Sequence, residues 1–163
     1  MKLQSLQDLY VEQLQDLYDA ENQLVKPLPK MAKAASEPQL QQAFEQHLTQ
    51  TKTHVERIEQ IFKTMGSSPK GKSCKAMKGL IEEGEEMIKQ RADPSVRDAG
   101  LIAAAQRVEH YEIAGYGCVR TYADMLGMTD ASALLQQTLN EEGKTDKELT
   151  LLAERVINLE AER

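Results

Sequence analysis

Four long stripes of regularly spaced positions constrain the fold of this chain more than any other feature. Within each stripe the steps are alternately three and four residues, and the positions are apolar except near the middle. Such spacing places side chains on one face of an α-helix. The stripes cover residues 10–35, 40–65, 102–126 and 135–159. They predict four helices of about 25 to 30 residues, each with one buried face, packed as a bundle.

Helix-breaking residues divide the stripes into pairs. Residues 36–38, Ser-Glu-Pro, are predicted to end the first helix and start the second, and residues 127–130 join the third helix to the fourth. Helices joined by connections this short pack as antiparallel neighbours. Pro27 and Pro29 fall inside the first helix. Each removes a backbone donor and crowds the preceding turn, so we expect a kink there.

The second and third helices are separated by a much longer connection, from Gly66 to about Asp98. Apolar residues between 74 and 90 recur with helical spacing, which predicts a shorter helix, and residues 93–94, Asp-Pro, open the third long helix. Two antiparallel hairpins joined by one crossover is the connectivity of ferritin-like bundles. We therefore predict an all-α, ferritin-like four-helix bundle with an additional short helix, in which residues 1–163 form a single domain.

Composition excludes several classes of function. The chain has 26 acidic and 20 basic residues and a formal net charge of -6, and no basic face is evident, which argues against binding of nucleic acid. No apolar run is long enough to span a membrane, and the N-terminus does not resemble a signal peptide. Cys74 and Cys118 form no paired motif. We expect reduced thiols and a cytoplasmic protein that binds no membrane.

Polar residues interrupt all four stripes near their middles. In antiparallel helices, residues at equal distance from the connecting turn lie at equal height, because each residue adds about 1.5 Å along the axis. Glu21 and His54 lie almost equally far from the first turn, and Glu112 and Thr145 almost equally far from the second. The interrupting residues should therefore form one polar layer across the bundle. They are Glu21, His47, Thr51, His54, Glu109, Glu112, Glu142 and Thr145.

The two hairpins repeat the same spacing. Thr51 and His54 follow Glu21 by 30 and 33 residues, and Glu142 and Thr145 follow Glu112 by the same intervals. This indicates an internal two-fold repeat in which His54 corresponds to Thr145.

Buried carboxylates need a counter-charge, since each unpaired one costs several kcal/mol or becomes protonated. No Lys or Arg occupies the stripes. Two divalent metal ions would balance four carboxylates, and oxygen ligands with imidazole suit iron or manganese. The layer thus predicts a dinuclear site with Glu21, His54, Glu109, Glu112 and Glu142 as ligands. A network of hydrogen-bonded, protonated acids is the alternative.

Several long segments resemble a known family. They are DLYDAENQL, AFEQHLTQTKTHVERIEQIF, KAMKGLIEEGEEMI, DAGLIAAAQRVEHYEIAGYG and LLQQTLNEEGKTDKELTLLA, which together cover nearly the whole chain. They are similar to the YciE/YciF-like stress-associated ferritin-like proteins, which are related to rubrerythrin and bacterioferritin. The resemblance implies a ferritin-like bundle that forms a homodimer and holds a di-iron centre.

The resemblance also assigns roles within the layer. Glu21 resembles the carboxylate that the first helix of a ferritin-like site supplies. Glu109 and Glu112 resemble the paired glutamates of the third helix in rubrerythrin, and Glu142 resembles the bridging carboxylate of the fourth helix. His54 resembles the histidine of the usual Glu-x-x-His motif in the second helix.

Other positions depart from the family pattern. Thr51 stands in place of the glutamate of Glu-x-x-His, and Gln50 stands where related sequences often have glutamate. Thr145 replaces the histidine expected on the fourth helix, which leaves Asp146 as the nearest substitute metal ligand. His47 lies on a stripe two turns from His54, where we expect packing or support of a ligand in preference to metal binding.

Two functions fit this layer. One is a di-iron or di-manganese oxidoreductase, ferroxidase- or peroxidase-like, that acts on O2 or peroxide in a stress response. Because the chain has no CxxC pair, its electron donor would be external. The alternative is a non-catalytic metal-binding or structural stress protein, which the missing histidine and carboxylate favour.

Overall fold

The structure is a computed structural model that describes residues 3–163. Within this range all regular structure is helical, and none of the helices is long and apolar enough to cross a membrane. The helices are α1 (Leu6–Leu24), α2 (Pro27–Ala34), α3 (Pro38–Met65), α4 (Lys75–Lys89), α5 (Pro94–Met125), α6 (Thr129–Leu152), a π-helix (Ala153–Ile157) and α7 (Asn158–Ala161). The ferritin-like bundle predicted from the stripes is confirmed, with α4 as the helix of the crossover.

The first predicted helix is broken where its two prolines fall. Helix α1 ends at Leu24, and α2 begins at Pro27, the position at which the missing backbone N–H costs least. Helix α2 then continues to Ala34 and packs on α3. Val25 and Lys26, between α1 and α2, keep right-handed helical backbone angles, so the prolines interrupt the helix at the expected kink, and Glu21 lies in the last turn of α1 before it.

A buried carboxylate joins the start of α5 to the turn of the first hairpin. The side chain of Asp98 accepts hydrogen bonds from the backbone N–H of Ser36, at 2.9 and 3.0 Å, and from that of Glu37, at 2.7 Å. These donors stand immediately before α3. Because a helix start leaves backbone donors without partners, Asp98 satisfies them and fixes the first hairpin against the second.

The polar layer separates two apolar cores. One core surrounds the α2–α3 turn, the start of α5 and the end of α6, and includes Leu24, Phe44, Met77, Leu101 and Leu149. The other lies at the opposite end of the bundle and includes Tyr10, Leu14, Phe62, Tyr116 and Leu135. Burial of these side chains holds the four long helices together, so the polar residues between them are kept in place by packing on both sides.

The stripe of the fourth helix shifts by one position near its C-terminal end. The sequence predicts Val156 and Leu159 on the buried face, whereas the structure buries Ile157 and leaves Leu159 51% exposed. The reason is the π-helix at Ala153–Ile157, which adds one residue to its turn and so rotates the following side chains. The buried positions up to Leu152 follow the predicted spacing, and the metal-site residues are unaffected.

Candidate metal centre

The structure brings five of the six predicted ligands together, and His47 lies with them. Helix α1 supplies Glu21, α3 supplies His47 and His54, α5 supplies Glu109 and Glu112, and α6 supplies Glu142. All six residues are at least 96% buried. The equal-height argument therefore predicts the arrangement of the layer correctly, while the role of these residues as metal ligands stays a prediction.

Two groups of potential ligand atoms lie within the layer. In each group every residue offers one atom that lies within 4.8 Å of the others. The His54 group consists of Glu21, His54 and Glu142, and the His47 group consists of His47, Glu109, Glu112 and Glu142. Glu142 belongs to both groups. A carboxylate has two oxygens and can bridge two ions, so the geometry is compatible with a pair of neighbouring metal positions.

The His54 group is held by hydrogen bonds. Tyr116 donates its hydroxyl to Glu21 Oε1 at 2.5 Å. His54 Nδ1 lies 3.2 Å from Glu21 Oε1 and 2.9 Å from Glu142 Oε1, yet this nitrogen has no partner in hydrogen-bond geometry. Potential ligand atoms that lie close together without forming hydrogen bonds to one another have the arrangement expected around a shared ion.

An ion pair outside the layer orients His54. The other ring nitrogen, Nε2, lies 2.8 Å from Glu141 Oε2. Glu141 is in turn held by both terminal nitrogens of Arg57, at 2.6 and 2.9 Å. With its proton on Nε2, His54 donates to Glu141 and turns the lone pair of Nδ1 toward Glu21 and Glu142. Ligating histidines are commonly fixed in this way by a carboxylate.

The His47 group has no comparable support. His47 Nε2 lies 3.2 Å from Glu109 Oε1, but neither ring nitrogen has a hydrogen-bond partner. The unpartnered buried oxygens of this group are Glu109 Oε2, both carboxylate oxygens of Glu112 and both of Glu142. Buried polar atoms without protein partners are rare in folded proteins and costly, so this arrangement is compatible with an ion or ordered water between these side chains.

The pKa values of the carboxylates reflect this difference. Burial, reinforced by Glu142, raises the pKa of Glu109 well above its ordinary value. Burial and then the nearby Glu21 and Glu142 raise the pKa of Glu112 in the same way. Burial also acts on Glu142, but the adjacent His54 outweighs it and holds the pKa of Glu142 below its ordinary value.

The two histidines shift in opposite directions. Burial lowers the pKa of His47. Burial has the same effect on His54, but the neighbouring carboxylates of Glu142 and Glu21 overcome it and raise the pKa of His54 to about 10. Without metal, His54 is therefore the cation of the layer at neutral pH, and His47 is uncharged.

The residues present fit a pair of metal ions. Each group offers imidazole nitrogen together with carboxylate oxygen, the donor set suited to iron and manganese. Every residue of the two groups has at least one buried nitrogen or carboxylate oxygen without a partner, which leaves these atoms available to ions. The buried His/Glu cluster is thus compatible with metal binding on its chemistry as well as on its geometry.

Asp146, the sixth predicted ligand, lies apart from the other five, and its role as a ligand stays a prediction. Its carboxylate accepts a hydrogen bond from Gln106 at 3.0 Å and lies 3.3 Å from Nε2 of the exposed His110. It belongs to neither group of potential ligands. Asp146 follows Glu142 by four residues on α6, and at this position the helix turns the side chain toward α5 and solvent.

The remaining polar positions line the layer without joining either group. Thr51 is fully buried, and its hydroxyl has no partner. Thr145 donates to the backbone oxygen of Glu141 at 3.1 Å and to Gln50 Oε1 at 3.4 Å. Nothing in the sequence singles out Glu141 and Arg57, and the stripes predict packing or ligand support for His47, which the structure places within one of the two groups. In the sequence, His47 could be noticed because it lies on a stripe. Glu141 could be noticed only because it directly precedes Glu142.

Together the connectivity and the buried layer define a ferritin-like helical protein with a carboxylate- and histidine-rich core. Comparison with known sequences agrees: residues 5–162 match DUF892, a domain family of unknown function, and the chain belongs to this family. Protein YciF of Escherichia coli K12 is 46% identical over 163 residues, which cover 99% of this chain and 98% of YciF.

Solved structures support the fold. The crystal structure of the E. coli stress protein YciF superposes with a TM-score of 0.92 over 96% of this chain and 99% of its own. YcfI of Rhodopseudomonas palustris, 42% identical, gives 0.88 over 91% and 95%. Ferritin-like, diiron-carboxylate proteins of Bacillus anthracis, 19% identical, give 0.71 over 92% and 99%, which establishes a shared fold.

Proposed function

We propose that this protein binds two divalent metal ions, iron or manganese, and uses them in redox chemistry on O2 or peroxide during stress. The proposal is supported above all by the unpartnered carboxylate and imidazole atoms that converge from four helices and share Glu142. It is also supported by similarity to a stress protein, YciF, and by a fold shared with diiron-carboxylate proteins.

The proposed ligands fall into two sets, one for each ion. Glu21, His54 and Glu142 would hold one ion, and His47, Glu109, Glu112 and Glu142 the other. When bound, the ions supply a site at which O2 or peroxide is reduced by electrons taken from the metal. The Arg57–Glu141 pair keeps His54 in one orientation, and the two apolar cores exclude bulk water from the layer.

The protons displaced on loading come from proposed ligands whose pKa values are raised, among them Glu21, where burial is the main cause. Glu109 and Glu112 have raised pKa values, because burial and neighbouring carboxylates disfavour their charged forms. Because the pKa of His54 is raised to about 10, its ring is doubly protonated at neutral pH and holds a proton on Nδ1. These groups must lose protons to become ligands, so metal affinity should rise with pH.

Metal analysis tests the proposal directly. Protein purified from cells supplied with iron or manganese, and protein reconstituted without oxygen, should each hold about two metal ions per chain. Anomalous diffraction at the iron and manganese edges should place them beside Glu142. A content well below one ion per chain under both conditions would contradict the proposal. Consumption of peroxide or O2 above that of free metal then tests the redox part.

A second candidate function is metal binding without turnover. It is favoured by Thr145, which stands where the repeat of His54 would supply a histidine, and by Gln50 in place of a carboxylate. Tight binding of two ions, combined with peroxide consumption no faster than the free-metal background, would select it.

Homodimerisation and a cytoplasmic location are further parts of the proposal. The family resemblance supports the dimer, and an external electron donor would be needed because Cys74 and Cys118 are both free and form no redox pair. A sedimentation mass of one chain at micromolar concentration would rule out the dimer.

A further inference from the structure

A groove on the outer face of the bundle leads toward the His47 group. It lies between α3 and α6 and has a volume of about 390 Å³. Its walls are mostly polar and include Gln39, Gln42, Gln46, Gln50, Thr145 and Glu148. The groove is open to solvent, so dissolved molecules reach its floor freely.

Behind this groove lies a much smaller cavity that reaches the metal layer. It has a volume of about 20 Å³, enough for one molecule of water or dioxygen size. Apolar side chains form most of its wall, among them Leu24, Leu28, Met31 and Phe44. The exceptions at its inner end are His47 and Glu109, which carry unpartnered polar atoms.

Only a thin wall separates the two spaces. Ala43, Thr145 and Leu149 line both the groove and the cavity. Two of these three are small. Thr145 occupies the position that corresponds to His54 in the repeat, so the wall is thin because a short side chain stands where a ligand histidine would otherwise fill the space. The Thr145 hydroxyl is occupied by Glu141 and Gln50.

We propose that the groove, the wall and the cavity form an access route by which a small uncharged molecule of dioxygen size reaches the His47 half of the centre, with Thr145 setting its width. The apolar lining favours such a molecule, because ions and strongly hydrogen-bonded molecules would lose their partners inside. The biological use of the route rests on the proposed redox function, but the route itself can be tested without it.

Xenon binding tests the cavity independently of any metal. In crystals of the purified protein under xenon pressure, we expect a xenon atom in the cavity beside His47. The variant Ala43→Leu should lose it, because the larger side chain fills the space. The matched control is Ala104→Leu, which fills a neighbouring cavity of about 20 Å³ that touches no predicted ligand. An empty wild-type cavity, or xenon retained in Ala43→Leu, would overturn the proposal.

The role of Thr145 is tested by the rate of air oxidation of protein loaded with ferrous iron. We expect Thr145→Leu to react about tenfold more slowly and Thr145→Ala faster than the wild type, at unchanged metal content. Since Thr145→Ala removes atoms and blocks nothing, it keeps the test decisive if the leucine variant folds poorly. Equal rates in all three proteins would overturn the role of Thr145.

Failure of the two proposals can be told apart. If no variant or wild-type preparation binds metal, the proposed function fails while the xenon result still decides the access route. If metal binds and reacts but the cavity takes no xenon and Thr145 has no effect on rate, only the access route fails.

Discussion

The two halves of the layer share Glu142 but differ in how the protein supports them. In the His54 half, Tyr116 bonds to Glu21, and the Arg57–Glu141 pair holds His54. In the His47 half, neither ring nitrogen of His47 nor either oxygen of Glu112 has a partner. Side chains around the His54 half therefore orient its histidine and Glu21, although His54 Nδ1 and Glu21 Oε2 lack partners, whereas the His47 half has no such support.

This difference indicates how the charge of the layer is balanced. His54 has a pKa raised to about 10 by its carboxylate neighbours, so it supplies a positive charge to its own half. The pKa of His47 is lowered by burial, and the pKa values of Glu109 and Glu112 are raised. Without metal, raised pKa values favour the protonated forms of Glu109 and Glu112 beside an uncharged His47, while the shared Glu142 keeps its negative charge at neutral pH. The His47 half is the one in which two acids would have to lose protons for a cation to bind, and it is also the half that adjoins the cavity.

The largest effect should come from the residue that the halves share. Replacing Glu142→Gln removes a ligand from both positions, so we expect loss of both ions. The affinity for each should fall by at least about 100-fold, beyond the 10- to 100-fold typical of an outer partner. Calorimetric titration with Fe²⁺ or Mn²⁺ under anaerobic conditions measures both steps.

A matched control lies on the same helix. Glu148→Gln makes the same change two turns beyond Glu141, at a side chain that is 53% exposed and pairs with Lys144. It should leave metal content at the wild-type value. Retention of one tightly bound ion by Glu142→Gln would show that Glu142 is not shared.

The next largest effect separates the halves. His47→Gln should remove one ion of the two and leave the His54 half loaded, because the latter group does not contain His47. Metal content by mass spectrometry, together with a crystal structure of the variant, checks both the number and the position. Two ions bound with unchanged affinity would return His47 to the packing role expected from sequence.

The stability of the metal-free protein should fall as the pH rises. The pKa of His54 is raised from 6.5 to about 10, so its contribution is complete below pH 6.5 and is lost as the pH approaches 10. The raised pKa values of Glu109 and Glu112 act in the same direction, since their protonated forms stabilise the fold below pH 4.5 and ionisation at higher pH destabilises it. The combined loss should be several kcal/mol.

Metal should reverse this trend, since ligands bind in their deprotonated forms. Within the layer, Glu142 with its lowered pKa adds stability that disappears at acid pH, below its ordinary value of 4.5, and the lowered pKa of the neighbouring Glu141 acts in the same direction. Urea unfolding between pH 5 and 10, with chelator and with Mn²⁺, measures both curves. A metal-free protein whose free energy of unfolding rises over this range would contradict the charge assignment.

A smaller effect concerns the support of His54. Glu141→Gln keeps the size of the side chain but weakens its interaction with His54 Nε2 and Arg57. We expect a 10- to 100-fold loss of affinity confined to the His54 half, as for other outer partners of ligating histidines. Equal loss from both halves in the titration would show that Glu141 acts through general stability.

The comparison of the halves also shows what the sequence could reveal. The height of Glu21, His54, Glu112 and Glu142 was predictable because the rise per residue of a helix is fixed and the connecting turns are short. The approach of His47 to the carboxylates was not predictable, because a histidine on a stripe can equally well pack against apolar neighbours. Its position 3.2 Å from Glu109 depends on how α3 and α5 approach each other.

Two further features required the structure for different reasons. Glu141 and Arg57 lie outside the four stripes and are partly exposed, so the spacing of the stripes gives no reason to connect them with His54. The π-helix at Ala153–Ile157 changes which of the last residues are buried. A fixed spacing of three and four residues assumes a regular α-helix and cannot predict this change.

The smallest expected effect concerns Asp146, and it tests whether this residue is a metal ligand. Asp146→Asn keeps an oxygen for Gln106 and removes only the charge near His110, whose side chain is 68% exposed. Such a partly exposed ion pair contributes at most about 1 kcal/mol. Both ions should bind with wild-type affinity, because the carboxylate belongs to neither group of potential ligand atoms. A loss of one ion in the same titration would identify Asp146 as a ligand and would mean that α6 turns further toward the layer when metal binds.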